Sequence, residues 1–146
     1  MREYLFRGKR KMNGEWVFGY LCYNGALDPE LSIQTVTKRH DEVFLKRPVI
    51  IPETVGQFIG KTDKNGKKIF EGDIVKADLD FNPDERVGLI GEIVFKKGAF
   101  MFSQTWRKPD LIDYYTTWIN DYHNIEVIGN KYDNPELLKK MEALNG

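Results

Sequence analysis

Two histidines, one cysteine and a few close-set carboxylates are the side chains in this 146-residue chain best suited to acid–base, nucleophilic or metal chemistry. Their spacing works against each use. His40 precedes Asp41 and Glu42, and His123 follows Tyr122, but neither has the partner four residues away that a helical zinc site needs. Cys22 lies within Trp16-Val17-Phe18-Gly19-Tyr20-Leu21-Cys22-Tyr23, which reads as a strand, and a lone cysteine there is expected to be an inert packed hydrophobe. Asp78-Leu79-Asp80-Phe81-Asn82 begins like a calcium loop. The sixth position, however, is Pro83 where glycine is needed, and the twelfth is Leu89 where a bidentate glutamate is needed. Glu71-Gly72-Asp73 reads as a bend whose aspartate bonds nearby amides. No glycine-rich phosphate loop of either standard spacing occurs. The expectation is a non-enzymatic protein with no catalytic residue, cofactor or metal.

Binding is the better-supported class. Three Trp, seven Tyr and nine Phe exceed what a small core consumes, and Tyr114, Tyr115, Trp118 and Tyr122 fall close together. Basic residues crowd two turns: Lys9, Arg10 and Lys11 in the first, with Arg2 and Arg7 nearby, and Lys64, Lys67 and Lys68 in the second, with Lys61. These nominate Lys9, Arg10, Lys11, Lys64, Lys67, Lys68, Tyr114, Tyr115 and Trp118 as partner contacts. A protein partner, or another copy of the chain, fits the aromatics. Nucleic acid is the alternative, with bases stacked on rings and phosphates on the basic tips. Twenty-two basic against 22 acidic side chains give no long-range attraction for a polyanion, which favours the protein-binding reading.

The elements that must position these residues are mainly strands. At 41% hydrophobic, the chain has the size of one domain over 1–146, divisible into lobes 1–52 and 53–146. A mean hydropathy of −0.50 and the lack of an apolar run near 18 residues give no membrane span. Charges break up Met1-Arg2-Glu3-Tyr4-Leu5-Phe6-Arg7 before a secretory core can form, and one cysteine suits a reducing compartment, so the expected location is the cytoplasm. Strands are predicted at 3–8 and 15–23 around Asn13-Gly14, at 31–37, in the hairpin after Val55 whose tip is Asp63-Lys64-Asn65-Gly66, from Ile74, and at 87–95, 99–103 and 125–128. Pro48 to Pro52 reads as an extended connector or edge strand. Strands so closely spaced indicate a small barrel. Residues 110–121 carry Leu111, Tyr114, Tyr115, Trp118 and Ile119 at a spacing that suits a helix, although their β-branched and aromatic content leaves the choice open. A second helix starts at Asn134-Pro135-Glu136 with Leu137, Leu138, Met141 and Leu144 on one face.

Three stretches together resemble the YopX family of small proteins from phages and prophages of Gram-positive bacteria. They are Phe6-Arg7-Gly8 through Trp16-Val17-Phe18-Gly19-Tyr20; then Val55-Gly56-Gln57-Phe58 with Gly60, Asp63 to Lys67 and Ile69-Phe70-Glu71-Gly72-Asp73-Ile74-Val75; and finally Ile125 to Asn130 with Tyr132 and Asn134 to Leu138. The family tends to carry Thr and Leu beside the glycine where this chain has Ile59 and Lys61, a departure confined to hairpin surface. The resemblance implies an SH3-like barrel in the carboxy-terminal part, self-association as a homo-oligomer, and a phage or host protein as a further partner. It implies no activity, since the family has no established one.

Overall fold

A computed structural model describes residues 2–25, 30–79, 87–104 and 116–139 of the chain. They form two compact units, Met1–Phe58 and Ile59–Gly146. The fold is mainly β, as expected, with antiparallel sheets and one short helix.

In the first unit, β1 (Phe6–Lys9) and β2 (Trp16–Asn24) make the opening hairpin, with Phe6 opposite Gly19 and Lys9 opposite Trp16. Gly14 takes φ 72° at the reversal, and the Asn13 side chain accepts the Glu15 N–H at 3.1 Å. The second half of β2 pairs with β3 (Glu30–Arg39), and β3 pairs with β4 (Glu42–Lys46). The order is β4-β3-β2-β1, and β5 (Gly56–Thr62) opens against β1 at Gly56 and Gln57. Residues 48–52 act as the extended connector that their prolines imply: Val49 bridges Ser32 and Ile50 bridges Arg10. Ile50 thereby joins Val17 and Ile33 in the core, with Phe6, Leu31 and Val55 packed around them.

In the second unit, the remainder of β5 pairs with β6 (Lys68–Phe70). The strands β7 (Asp73–Leu79), β8 (Leu89–Lys96), β9 (Ala99–Ser103) and β10 (Thr116–Trp118) form a meander. After a one-turn 3-10 helix, Ile119–Asp121, β11 (Tyr122–Asn130) returns to pair with β7, giving the order β10-β9-β8-β7-β11. This connectivity is that of the SH3-like small barrel the resemblance implies. Lys97 and Gly98, at φ 53° and 75°, make the two-residue turn between β8 and β9. Two register shifts in β11, between His123 and Glu126 and between Val127 and Gly129, bend that strand. Ile69, Val75, Ala77, Ile93, Phe102, Ile119, Tyr122 and Ile125 fill the core, and the Phe102 and Tyr122 rings lie 4.3 Å apart.

The helix expected over 110–121 is corrected where it can be seen. Residues 116–118 pair as a strand with Phe102 and its neighbours, and only a single 3-10 turn, Ile119–Asp121, follows before β11. Pairing to β9 overrides the local apolar spacing, and the β-branched and aromatic residues here suit a strand. Leu111, Tyr114 and Tyr115 lie outside the described residues, as do Asp80 to Glu85 of the acidic loop. The terminal helix begins as expected and is helical over 135–139, with Leu137 and Leu138 half-buried; Met141 and Leu144 lie outside the described residues. Among the described residues no helix is long and apolar enough to cross a membrane.

Candidate interaction surface

Of the basic tip residues, Lys9, Lys11 and Lys64 have side-chain partners within their own units. Lys9 Nζ and Arg7 Cζ lie 5.3 and 4.7 Å from the centre of the Trp16 ring, so that indole holds two cations. Arg10 donates its backbone N–H to Glu15, and Lys11 Nζ lies 3.6 Å from Glu30 Oε1. In the second unit Lys64 Nζ pairs with Glu126 Oε2 at 2.9 Å, Lys67 donates its N–H to Asp63, and Lys68 is half-buried in β6. A shallow groove of about 510 Å³ runs beside this hairpin, between Gly60–Lys64 and His123–Ile125. Its floor carboxylate is committed: Asp63 Oδ1 accepts the N–H groups of Asn65 and Lys67, and Oδ2 accepts that of Val127, all at 2.9–3.0 Å. Burial opposes ionisation of Asp63 most strongly, but the hydrogen bonds from Val127, Lys67 and Asn65, with the Lys67 charge, outweigh it and hold the pKa below its ordinary value. Trp118 lies on β10 with about half its surface exposed. The nominated contacts thus fall into a first-unit group, Lys9, Arg10 and Lys11, and a second-unit group, Lys64, Lys67, Lys68 and Trp118. Tyr114 and Tyr115 lie outside the described residues. Among the described residues no group of three or more His, Cys, Asp or Glu is placed to hold a metal ion. Cys22 is half-buried on β2, with Sγ 3.6 Å from the Tyr20 carbonyl oxygen.

The surface that sequence reading missed is the arm at residues 35–46. β3 pairs with β2 only as far as Gln34; from Thr35 onward its partner is β4 alone. A two-residue turn closes the hairpin, with His40 at φ 53°. Every residue of β4 is exposed. Because side chains alternate along paired strands, Val36, Lys38, Val43 and Leu45 share one face, and Thr37, Arg39, Phe44 and Lys46 share the other. Val36, Val43, Phe44 and Leu45 are 48%, 58%, 43% and 60% exposed, so apolar groups lie open on both faces. On the second face Thr37, Arg39, Phe44 and Lys46 line a recess of about 230 Å³. An isolated two-stranded hairpin is marginal in water, and this one leaves apolar residues open on both sides.

Comparison with known proteins follows from this geometry. The family model described as YopX protein matches residues 5–139. The chain belongs to the YopX protein family. A crystal structure of protein EF1440 from Enterococcus faecalis is similar in fold, with a TM-score of 0.53 at 22% identity over 94% of this chain and 99% of that one. No curated protein matches.

The stretches that carry the YopX resemblance prove to be positions of turn and close approach. A Cβ on Gly19 would stand 2.0 Å from the Gln34 carbonyl oxygen, so only glycine lets β2 and β3 come together where the arm departs. Gly72 takes φ 89°, and Asp73 Oδ2 accepts the Phe70 N–H at 2.8 Å, as the Glu71-Gly72-Asp73 bend predicts. A Cβ on Gly129 would meet Asn134 Oδ1 at 2.6 Å and Leu137 Cδ1 at 3.0 Å, which is how β11 receives the start of the terminal helix. Asn134 Oδ1 accepts the Asn130 N–H at 3.2 Å, tying that start back to the strand.

Proposed function

We propose that this protein is a non-enzymatic phage or prophage accessory module of the host cytoplasm, acting through protein binding or self-assembly, and that residues 35–46 are its contact element. The observation that carries this reading is the exposure of Val36, Val43, Phe44 and Leu45 on both faces of one hairpin arm. Large apolar side chains held open on a strand pair gain free energy when covered, at roughly 25 cal/mol per Å². Nucleic-acid binding is less favoured, because Lys11 and Lys64 already face carboxylates and Lys9 already faces an indole.

Light scattering of the full chain at low micromolar concentration tests the proposal. The expected result is a species heavier than the 17.0 kDa chain that reverts to that mass in Val43→Ser/Leu45→Ser. A monodisperse 17.0 kDa wild type that also captures the same set of proteins as the double variant from prophage-bearing cells would overturn it.

A further inference from the structure

Resting on the reading of the arm as a self-assembly element, we infer that its occupant is a second copy of this chain, joined edge to edge through β4 in antiparallel register centred on Phe44. β4 ends the strand order, and among the described residues no strand pairs with its outer edge. Alternate N–H and C=O groups of such a strand point outward and need partners. Edges are ordinarily protected by a central charge, a proline or a bulge; β4 instead presents Val43-Phe44-Leu45 in a row, with charges only at Glu42 and Lys46.

The order of those five residues selects the occupant. Read against itself in the opposite direction, Glu-Val-Phe-Leu-Lys places Glu42 opposite the second copy's Lys46, Val43 opposite its Leu45, and Phe44 opposite its Phe44. The two-fold axis repeats the first two pairs. Directly opposed residues of an antiparallel pair share a face. One face therefore carries an aromatic pair between two ion pairs, and the other carries the four aliphatic residues from both strands flanked by each Val36. Shifting by one residue puts Glu42 opposite Leu45 in one direction or Lys46 opposite Val43 in the other; shifting by two puts Glu42 or Lys46 opposite Phe44. A parallel pairing sets like charges beside each other. Only the Phe44-centred antiparallel register satisfies both charges and all three apolar residues. Among the described residues neither Glu42 nor Lys46 is in an ion pair within the chain, so both are available. The contact is isologous and closes at two copies.

Charge reversal on the full chain, read by sedimentation equilibrium at physiological salt, tests the register. Glu42→Lys and Lys46→Glu each place two like-charged pairs across the two-fold and are expected to weaken association by about ten-fold or more. The double exchange Glu42→Lys/Lys46→Glu restores it, and an equimolar mixture of the two single variants associates more tightly than either alone. Both positions are exposed, and unchanged thermal melting confirms that the variants fold. If wild type associates but the single variants associate equally well, or the mixture gains nothing, β4 pairing is overturned while self-assembly stands. A wild type that stays monomeric at every concentration overturns both.

Discussion

Asp63 shows how much one side chain can organise when both its carboxylate oxygens accept backbone hydrogen bonds. Sequence places it at the tip of a hairpin, where an aspartate bonds the amides that follow it, and it does so with Asn65 and Lys67. Its third bond, to the Val127 N–H on β11, joins residues 64 positions apart. Asp63→Asn must turn an amide NH₂ toward at least one of those three N–H groups, so at pH 7 it is expected to lose about 1.5–3 kcal/mol, the range for a hydrogen bond to a charged group. Because the folded-state pKa is lowered, the carboxylate stabilises the fold above the ordinary aspartate value of 3.8, and that contribution is lost as pH falls through the lower folded value. The gap between wild type and variant in urea denaturation should therefore be full at pH 6 and shrink below about pH 4. A gap independent of pH would mean that ionisation of Asp63 has no part in it.

Among the elements, the divergence of β3 from β2 determines what the first unit can present. Gly19 is the position that holds the two strands close just before they part, since a Cβ there would lie 2.0 Å from the Gln34 oxygen, far inside contact distance. Gly19→Ala is expected to destabilise the protein by about 1–3 kcal/mol, as overpacking does, and to speed amide exchange at Leu21 and Ile33, which face each other across β2 and β3. Unaltered stability and exchange would show that the close approach at Gly19 accommodates a side chain without penalty. Among the described residues, the first-unit core cluster holds three buried aliphatic residues, Val17, Ile33 and Ile50, against eight buried residues in that of the second. The arm thus extends from the unit with the smaller core, where covering its apolar faces has most to add.

At the scale of the whole molecule, zero net charge and basic tips already engaged by Glu30, Glu126 and Trp16 set an expectation for nucleic acid. Labelled single- and double-stranded DNA and RNA, titrated at low and physiological salt, should show no submicromolar binding, and Lys67→Glu should change nothing. Submicromolar affinity that falls steeply with salt, and falls further in the Lys67 variant on every sequence alike, would establish phosphate contacts and displace the protein-binding proposal.

The sequence by itself determined the mainly β character, the hairpins at Asn13-Gly14 and Asn65-Gly66, the bend at Gly72, the start of the terminal helix and the YopX family. All of these rest on local chemistry: glycines in left-handed turns, an aspartate bonding the amides beside it, proline and asparagine at a helix start. The arm was not legible. Residues 38–47 read as a charged stretch, and the apolar run of β4 is too short to stand out between Glu42 and Lys46. Nor could the sequence tell a helix at 110–121 from the strand found at 116–118, because apolar spacing over a short window fits both until a neighbouring strand chooses. Tertiary structure alone decided where β3 leaves β2, and hence which apolar residues remain in the open. Burial is a property of what packs against a residue, and here nothing among the described residues covers β4.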